Sequence, residues 1–256
     1  MNKRNLFYTY IIAIILVAII LGSPGLSRAS TVDHEIWADL LGKYVKPGGV
    51  DYSGFKAEED RLDQYLKVLE DTDPEKLSRN EQYAYYINAY NAWTIKLILS
   101  GYPEITSIKE LGNFFKSPWE KEFVRIDSRL TTLDDIEHNI LRPRFKDPRV
   151  HFAINCSAIS CPPLRPEPYR GQTLDHQLED STRSFVNDEN RYRLDGNNLF
   201  VSRIFKWFSE DFSDGVLGFY LKYAEGNLKE KLAAQRGTLK VKYLHYDWSL
   251  NDVKGE

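Results

Sequence analysis

Ser78-Arg79-Asn80-Glu81-Gln82-Tyr83-Ala84-Tyr85-Tyr86-Ile87-Asn88-Ala89-Tyr90-Asn91-Ala92-Trp93-Thr94-Ile95-Lys96-Leu97-Ile98-Leu99 is the stretch that decides how this chain is built. Ser78 and Glu81 have the capping-box spacing, in which a hydroxyl and a carboxylate serve backbone N–H groups at a helix start. The helix then runs from Glu81 to Leu99. One stripe is Tyr83, Tyr86, Ile87, Tyr90, Thr94, Leu97 and Ile98, and the opposite side holds Ala84, Tyr85, Asn88, Asn91, Ala92 and Ile95. A helix apolar on nearly all sides belongs in the interior. Asn88 and Asn91 are then buried amides that need partners. Each either satisfies loop backbone or orients a catalytic group. Glu81 is explained as the capping carboxylate and is also available to orient a base.

Around this helix the elements are short. Helical spacing covers His34 to Tyr44 and Phe55 to Leu69, and Asp73-Pro74-Glu75 is a helix start with Asp as cap. Phe123 to Ile126 and Arg129 to Thr131 flank Asp127-Ser128 as a hairpin. Thr132 caps a helix over Leu133 to Leu141, on which Glu137 falls within the apolar face and His138 on its flank. A buried carboxylate needs a partner, and Arg142 or Arg144 is placed to supply it. Val150 to Asn155 reads as a strand, and Asp175 to Phe185 as a helix. A second hairpin joins Arg191–Leu194 to Leu199–Ser202 through Asp195-Gly196-Asn197-Asn198. Ile204 to Phe208 and Gly218 to Leu232 look helical, and Leu239 to Leu244 alternates as a closing strand. Helices first, then hairpin-linked strands, predict an α+β fold: a mainly antiparallel sheet packed with helices around a buried central helix.

Lys3 and Arg4 precede an apolar run from Leu6 to Leu21, about 16 residues against the roughly 20 that span a bilayer. Ser27-Arg28-Ala29 follows with small residues where a signal peptidase reads. Residues 1–29 are therefore expected to be a signal peptide and residues 30–256 a single globular domain, periplasmic or secreted. Removing Lys3, Arg4 and Arg28 takes the net charge from −3 to −6. No basic block remains, so nucleic acid is a poor partner. Membrane contact is expected only through an uncleaved leader. Sixteen Tyr, thirteen Phe and five Trp suit an aromatic core with a carbohydrate- or peptide-binding face as the sharper alternative.

Both cysteines lie in Val150-His151-Phe152-Ala153-Ile154-Asn155-Cys156-Ser157-Ala158-Ile159-Ser160-Cys161-Pro162-Pro163-Leu164. An apolar run there ends in small polar residues and a Pro-Pro break, which holds a thiol in a loop. Three roles are open. As a nucleophile, Cys156 needs a base and a group to orient it. His151 is nearest, but five residues of strand span roughly 16 Å and put the two side chains on opposite faces. His138 is the better base. A disulfide with Cys161 is permitted by the export signal. A site of His138, His151, Cys156 and Cys161 lacks the compact spacing of structural zinc, so no metal is expected. No Gly-rich phosphate loop, H-E-x-x-H or G-x-S-x-G occurs, and no cofactor is expected.

The chain resembles the family catalogued as domain of unknown function 547, found in bacteria and plants. The matching stretches are Asn80 to Ala92, Leu133 to His138 with Leu141-Arg142, His151 to Leu164, Ser202 to Phe205 with Trp207 and Asp211-Phe212, and Tyr246 to Asn251. The resemblance implies a secreted or periplasmic protein in bacteria, and in plants a domain joined to coiled coils. Plant-type members look to carry Ser at the position of Cys161 while keeping the thiol of Cys156. On that comparison an obligatory Cys156–Cys161 disulfide is the weaker reading.

The expected function is a cysteine-dependent hydrolase or acyl-transferase acting on a peptide or other amide, with a small molecule or a peptide as substrate. Cys156 is the nucleophile and His138 the base, with Glu81 or Asn88 as orienter and His151 as the alternative base. The style is papain-like or transglutaminase-like, except that Pro162-Pro163 allows at most one helical turn after Cys156. The other reading is a non-catalytic binding or scaffold domain with a structural Cys156–Cys161 disulfide.

Overall fold

The computed structural model describes residues 31–253. The expected signal peptide, with its apolar run and Ser27-Arg28-Ala29, lies outside the described residues. Helix α1 (Glu35–Tyr44) is followed by the short pair β1 (Val45–Lys46) and β2 (Gly49–Val50). Helices α2 (Tyr52–Ala57) and α3 (Glu59–Asp71) replace the single helix expected over 55–69, because the chain bends at Glu58. Asp73 caps the 3₁₀ turn Pro74–Lys76. Helix α4 (Arg79–Leu99) comes next, and Ser78 Oγ accepts from the Glu81 N–H at 3.4 Å.

The central helix is interior. From Glu81 onward every side chain of α4 is buried except Lys96, which is half-buried and pairs with Glu59 at 2.8 Å and Asp63 at 2.5 Å. The Tyr85 hydroxyl donates to the Leu69 carbonyl of α3 at 2.7 Å, and Trp37 of α1 stacks on Tyr65 of α3 at 5.4 Å. Burial of this helix, more than its own propensity, holds it in place.

The fold is α+β, and its sheets are small. Strands β3 (Val124–Ile126) and β4 (Arg129–Thr131) form the expected hairpin, pairing Val124 with Thr131. Asp127 and Ser128 take φ of 49° and 56°, the left-handed values that a two-residue hairpin turn requires. Strands β5 (Tyr192–Asp195) and β6 (Asn198–Val201) form the second hairpin. Strand β7 (Lys240–Tyr243) joins β6 in parallel, so this three-stranded sheet is mixed while the other pairs are antiparallel. Between them lie α5 (Leu133–Asp135), the π-helical turn Ile136–Leu141 and α6 (Arg142–Phe145), which follow one another as one helical rod. Helices α7 (Leu174–Asn187), α8 (Ile204–Trp207), α9 (Gly215–Tyr223) and α10 (Gly226–Ala234) complete the chain.

One expected strand is absent. Residues Pro148–Phe152 form a 3₁₀ helix, and the run expected as a strand over 150–155 is not extended. Asp147 accepts from the Arg149 N–H and Pro148 sits in the first turn. Asp147-Pro148 is thus the same start signal as Asp73-Pro74, and it prevailed over an apolar run too short to distinguish strand from helix.

Two apolar clusters meet at this segment. One surrounds α4, and the other gathers Phe152, Phe205, Phe212, Phe219 and Tyr220. Val150, Ala153 and Ile154 belong to the first, whereas Phe152, Ala158 and Cys161 belong to the second. The cysteine loop therefore lies along the seam.

Candidate functional site

Asn91 anchors the loop from the central helix. Its Nδ2 donates to the Ala153 carbonyl and its Oδ1 accepts from the Asn155 N–H, both at 2.9 Å. Asn155 in turn frames the loop: Oδ1 accepts from the Ser157 N–H at 2.8 Å and Nδ2 donates to the Pro162 carbonyl at 2.7 Å. Ser157 has φ of 61° and is fully buried. A non-glycine residue held there costs on the order of 1–2 kcal/mol, a strain that often accompanies a side chain aimed for chemistry. The C-terminal segment closes the other side. The Ile159 and Ser160 N–H groups donate to the Ser249 and Asp247 carbonyls, and Ala158 bridges Leu250.

This frame sets two free thiols against each other. Cys156 Sγ lies 2.6 Å from Cys161 Sγ and 3.3 Å from the Tyr246 hydroxyl, and the Cys156 N–H donates to Cys161 Sγ at 2.7 Å. Cys156 is half-buried, whereas Cys161 is buried. Burial pushes the Cys156 thiol up, but hydrogen bonds from Cys161, Tyr246 and the Ala158 N–H outweigh it and leave Cys156 below an ordinary thiol. Cys161 is pushed well above one by burial and by its neighbour. The proton of the pair belongs on the deeper sulfur, because charge is cheapest where water reaches.

A cavity of about 210 Å³ opens over Cys156 and Cys161, and Glu137, His138 and His151 also line it. His151 Nε2 lies 2.6 Å from Asp211 Oδ2. A carboxylate only accepts, so Nε2 carries the proton and Nδ1 is left as the basic nitrogen. Burial lowers the His151 pKa, and Asp211 offsets only part of this. Burial raises the Asp211 carboxyl, but His151 and Arg142 pull it far below the usual carboxylate range. Arg142 Nε holds Asp211 at 2.6 Å, and the same guanidinium also reaches Glu210. His151 stacks on Phe208 at 4.1 Å.

The π-helical turn carries the other two groups. Such turns are rare and frequent at functional sites. Arg142 Nη1 donates to His138 Nδ1 at 2.8 Å, and His138 Nε2 faces Asp134 at 3.5 Å, so both ring nitrogens are engaged. Glu137 is buried and faces the Tyr90 hydroxyl. Burial raises its carboxyl to about 7, despite Tyr90 and Arg142. The expected Glu137 ion pair does not form: Arg142 turns to Asp211 and Arg144 to Glu75. The mouth is aromatic. Trp207, Tyr246 and Trp248 pack with centroids 4.6 to 5.7 Å apart, and Trp119 meets Trp248 edge-on.

Cys156, His138 and His151 therefore share one cavity, and Glu81 and Asn88 do not line it. No imidazole nitrogen hydrogen-bonds the Cys156 sulfur among the described residues; its polar neighbours are Cys161, Tyr246 and Ala158. The objection to His151 fails, because it assumed a strand where the chain is 3₁₀-helical. Glu81 packs at the far helix start, where Gly171 approaches so closely that a Cβ there would lie 2.7 Å from the Glu81 backbone nitrogen. Asn88 is buried, donates to the Tyr169 carbonyl at 2.8 Å and accepts from its N–H at 3.0 Å, and lies 3.4 Å from His34 Nε2. Asn91 is the amide that serves the cysteine loop. Asp211 and Tyr246 were not assigned roles from sequence, although both stand in stretches that carry the family resemblance. Cys156 does not begin a helix, since the first helix after it is α7. Among the described residues, no three His, Cys, Asp or Glu side chains are grouped to hold a metal ion.

Residues 74–186 match the family described as "Protein of unknown function, DUF547", the family the sequence resembles. The matched span includes the central helix, the π-helical turn and the cysteine loop, but ends before Asp211 and Tyr246. No curated protein and no solved structure matches the chain.

Proposed function

We propose that this protein is a cysteine-dependent hydrolase or acyl-transferase acting on a peptide or other amide. One observation carries the reading: a thiol held below its ordinary pKa shares a cavity with a buried imidazole that the half-buried Asp211 carboxylate orients. Cys156 is the nucleophile. His151, not His138, is the base, because Asp211 occupies its Nε2 and leaves Nδ1 open, whereas both nitrogens of His138 are taken. Asp211 is the orienting group, and Arg142 holds it. Contacts between nucleophile and base are often loose before substrate binds. The walls of Trp119, Trp207, Trp248 and Phe208 suit an apolar or aromatic acyl group.

An activated ester reports the chemistry without knowledge of the substrate. Reduced protein is mixed with p-nitrophenyl acetate and the acylated species is located by peptide mass spectrometry. The expected product is a thioester on Cys156. Asp211→Asn, which leaves His151 without a charged orienter, should slow acylation by about a hundredfold or more. A thiol that acylates no faster than free cysteine, or at an equal rate in Asp211→Asn, would support a non-catalytic binding domain instead.

A further inference from the structure

We infer that Cys156 and Cys161 form a working dithiol–disulfide couple, in which Cys156 attacks an external disulfide and Cys161 resolves the product. The juxtaposition goes beyond what acyl transfer requires, since a nucleophilic thiol needs no second thiol touching it. Here the sulfurs meet at 2.6 Å on either side of a four-residue turn. Both sulfurs line the cavity, but Cys156 is half-buried and Cys161 is buried. That is the division of labour that exchange requires: a more accessible attacker and a less accessible resolver in contact with it.

The loop is already closed by contacts that do not involve sulfur. Asn155 Nδ2 holds the Pro162 carbonyl, and the Cys161 N–H donates to the Ala158 carbonyl at 2.9 Å. Forming the S–S bond therefore orders almost no additional chain, so both redox states fit one backbone. The low thiol pKa of Cys156 favours attack, and the raised one of Cys161 keeps the resolver protonated until it is needed.

The steps balance. The Cys156 thiolate attacks one sulfur of a low-molecular-weight disulfide, R–S–S–R. That S–S bond breaks, RS⁻ leaves and takes a proton from water, and a Cys156–S–S–R bond forms. Cys161 sulfur then attacks Cys156 sulfur as its proton passes to the departing RS⁻. The Cys156–Cys161 bond forms and a second RSH is released. Two electrons pass from the dithiol to the external disulfide, which is reduced.

Oxidised glutathione is the probe. Reduced, desalted protein is incubated with it, and quenched samples are read by intact mass and by glutathione release. Wild type should lose both free thiols, gain no lasting adduct and release two reduced glutathiones per chain. Cys161→Ser should stop at a mixed disulfide on Cys156 with one released. Cys156→Ser should react at least about tenfold more slowly, because the attacking thiolate is gone. Wild type that stops at the mixed disulfide, or a Cys156→Ser protein that reacts as fast as wild type, overturns the inference. The wild-type measurement decides the matter even if a variant misfolds. A protein that completes the exchange but forms no thioester loses the acyl-transfer reading alone. One that forms the thioester but stops at the adduct loses the couple alone.

Discussion

Replacing Asn91 with alanine should disturb the Cys156 thiol, while the same replacement three residues earlier on the same helix should not. Both amides are almost fully buried, at 3% exposure for Asn91 and 1% for Asn88. Each makes a reciprocal pair of backbone hydrogen bonds, Asn91 to Ala153 and Asn155, Asn88 to Tyr169. Either alanine strands a buried carbonyl and a buried N–H. Each orphan costs about 1–3 kcal/mol, partly relieved if water enters the space, so a loss of about 2–4 kcal/mol is expected for both. That is a large share of the roughly 5–15 kcal/mol typical of a domain, but it leaves the protein folded. Urea unfolding should therefore show similar losses. The thiol separates them. Without Asn91, Asn155 is released, and with it the frame that holds Cys156 against Cys161, Tyr246 and Ala158. The Cys156 pKa should rise toward that of a free thiol. The midpoint of the alkylation rate against pH, measured with iodoacetamide on reduced protein, should move up in Asn91→Ala and stay in place in Asn88→Ala. Equal midpoints in the two variants would refute the idea that Asn91 sets the thiol through the loop.

Three further outcomes can be measured. Tyr246→Phe removes one hydrogen bond to Cys156 Sγ and should also raise the alkylation midpoint, with little loss of stability because the ring remains packed on Trp207 and Trp248. Gly171→Ala should destabilise by about 1–3 kcal/mol, since the added Cβ meets the Glu81 backbone, and should leave thiol reactivity as it was. Two buried groups should oppose each other in acid. Burial lowers the His34 pKa from 6.5 to about 4, so its contribution is intact above 6.5 and is lost as pH falls toward 4. Burial raises Glu137 from 4.5 to about 7, so stability is full below 4.5 and is lost as pH rises toward 7. Each is worth up to about 3 kcal/mol, and in the wild type they largely cancel. Between pH 5 and 7, His34→Gln should lose stability and Glu137→Gln should gain it. Parallel urea profiles for the two variants would contradict these burial effects.

What the sequence determined by itself is local. The central helix was legible because nineteen residues in a row lack a polar stripe, and such a segment can only be interior. Both hairpins were legible from their turns, since Asp127-Ser128 and the Gly196-containing loop supply the left-handed backbone those turns need. Cys156 was legible as a candidate because small residues and Pro-Pro isolate it after an apolar run. The burial of Asn88 and Asn91 followed from their place on α4.

Tertiary structure alone decided which of these groups meet. Asp211 reaches His151 from 60 residues away, and Tyr246 reaches Cys156 from 90. Neither distance leaves a periodic trace along the chain. The choice between Asn88 and Asn91 was equally invisible, because both lie on the same buried helix and only the neighbouring loop distinguishes them. The proposed base moves from His138 to His151 for a physical reason. A 3₁₀ turn capped by Asp147 carries His151 into the cavity, where an extended strand would have turned it away, and Arg142 occupies the nitrogen that His138 would have used. Short-range rules assign conformations to segments, but a site is made by side chains from different segments, and their meeting depends on how two apolar clusters pack around one loop.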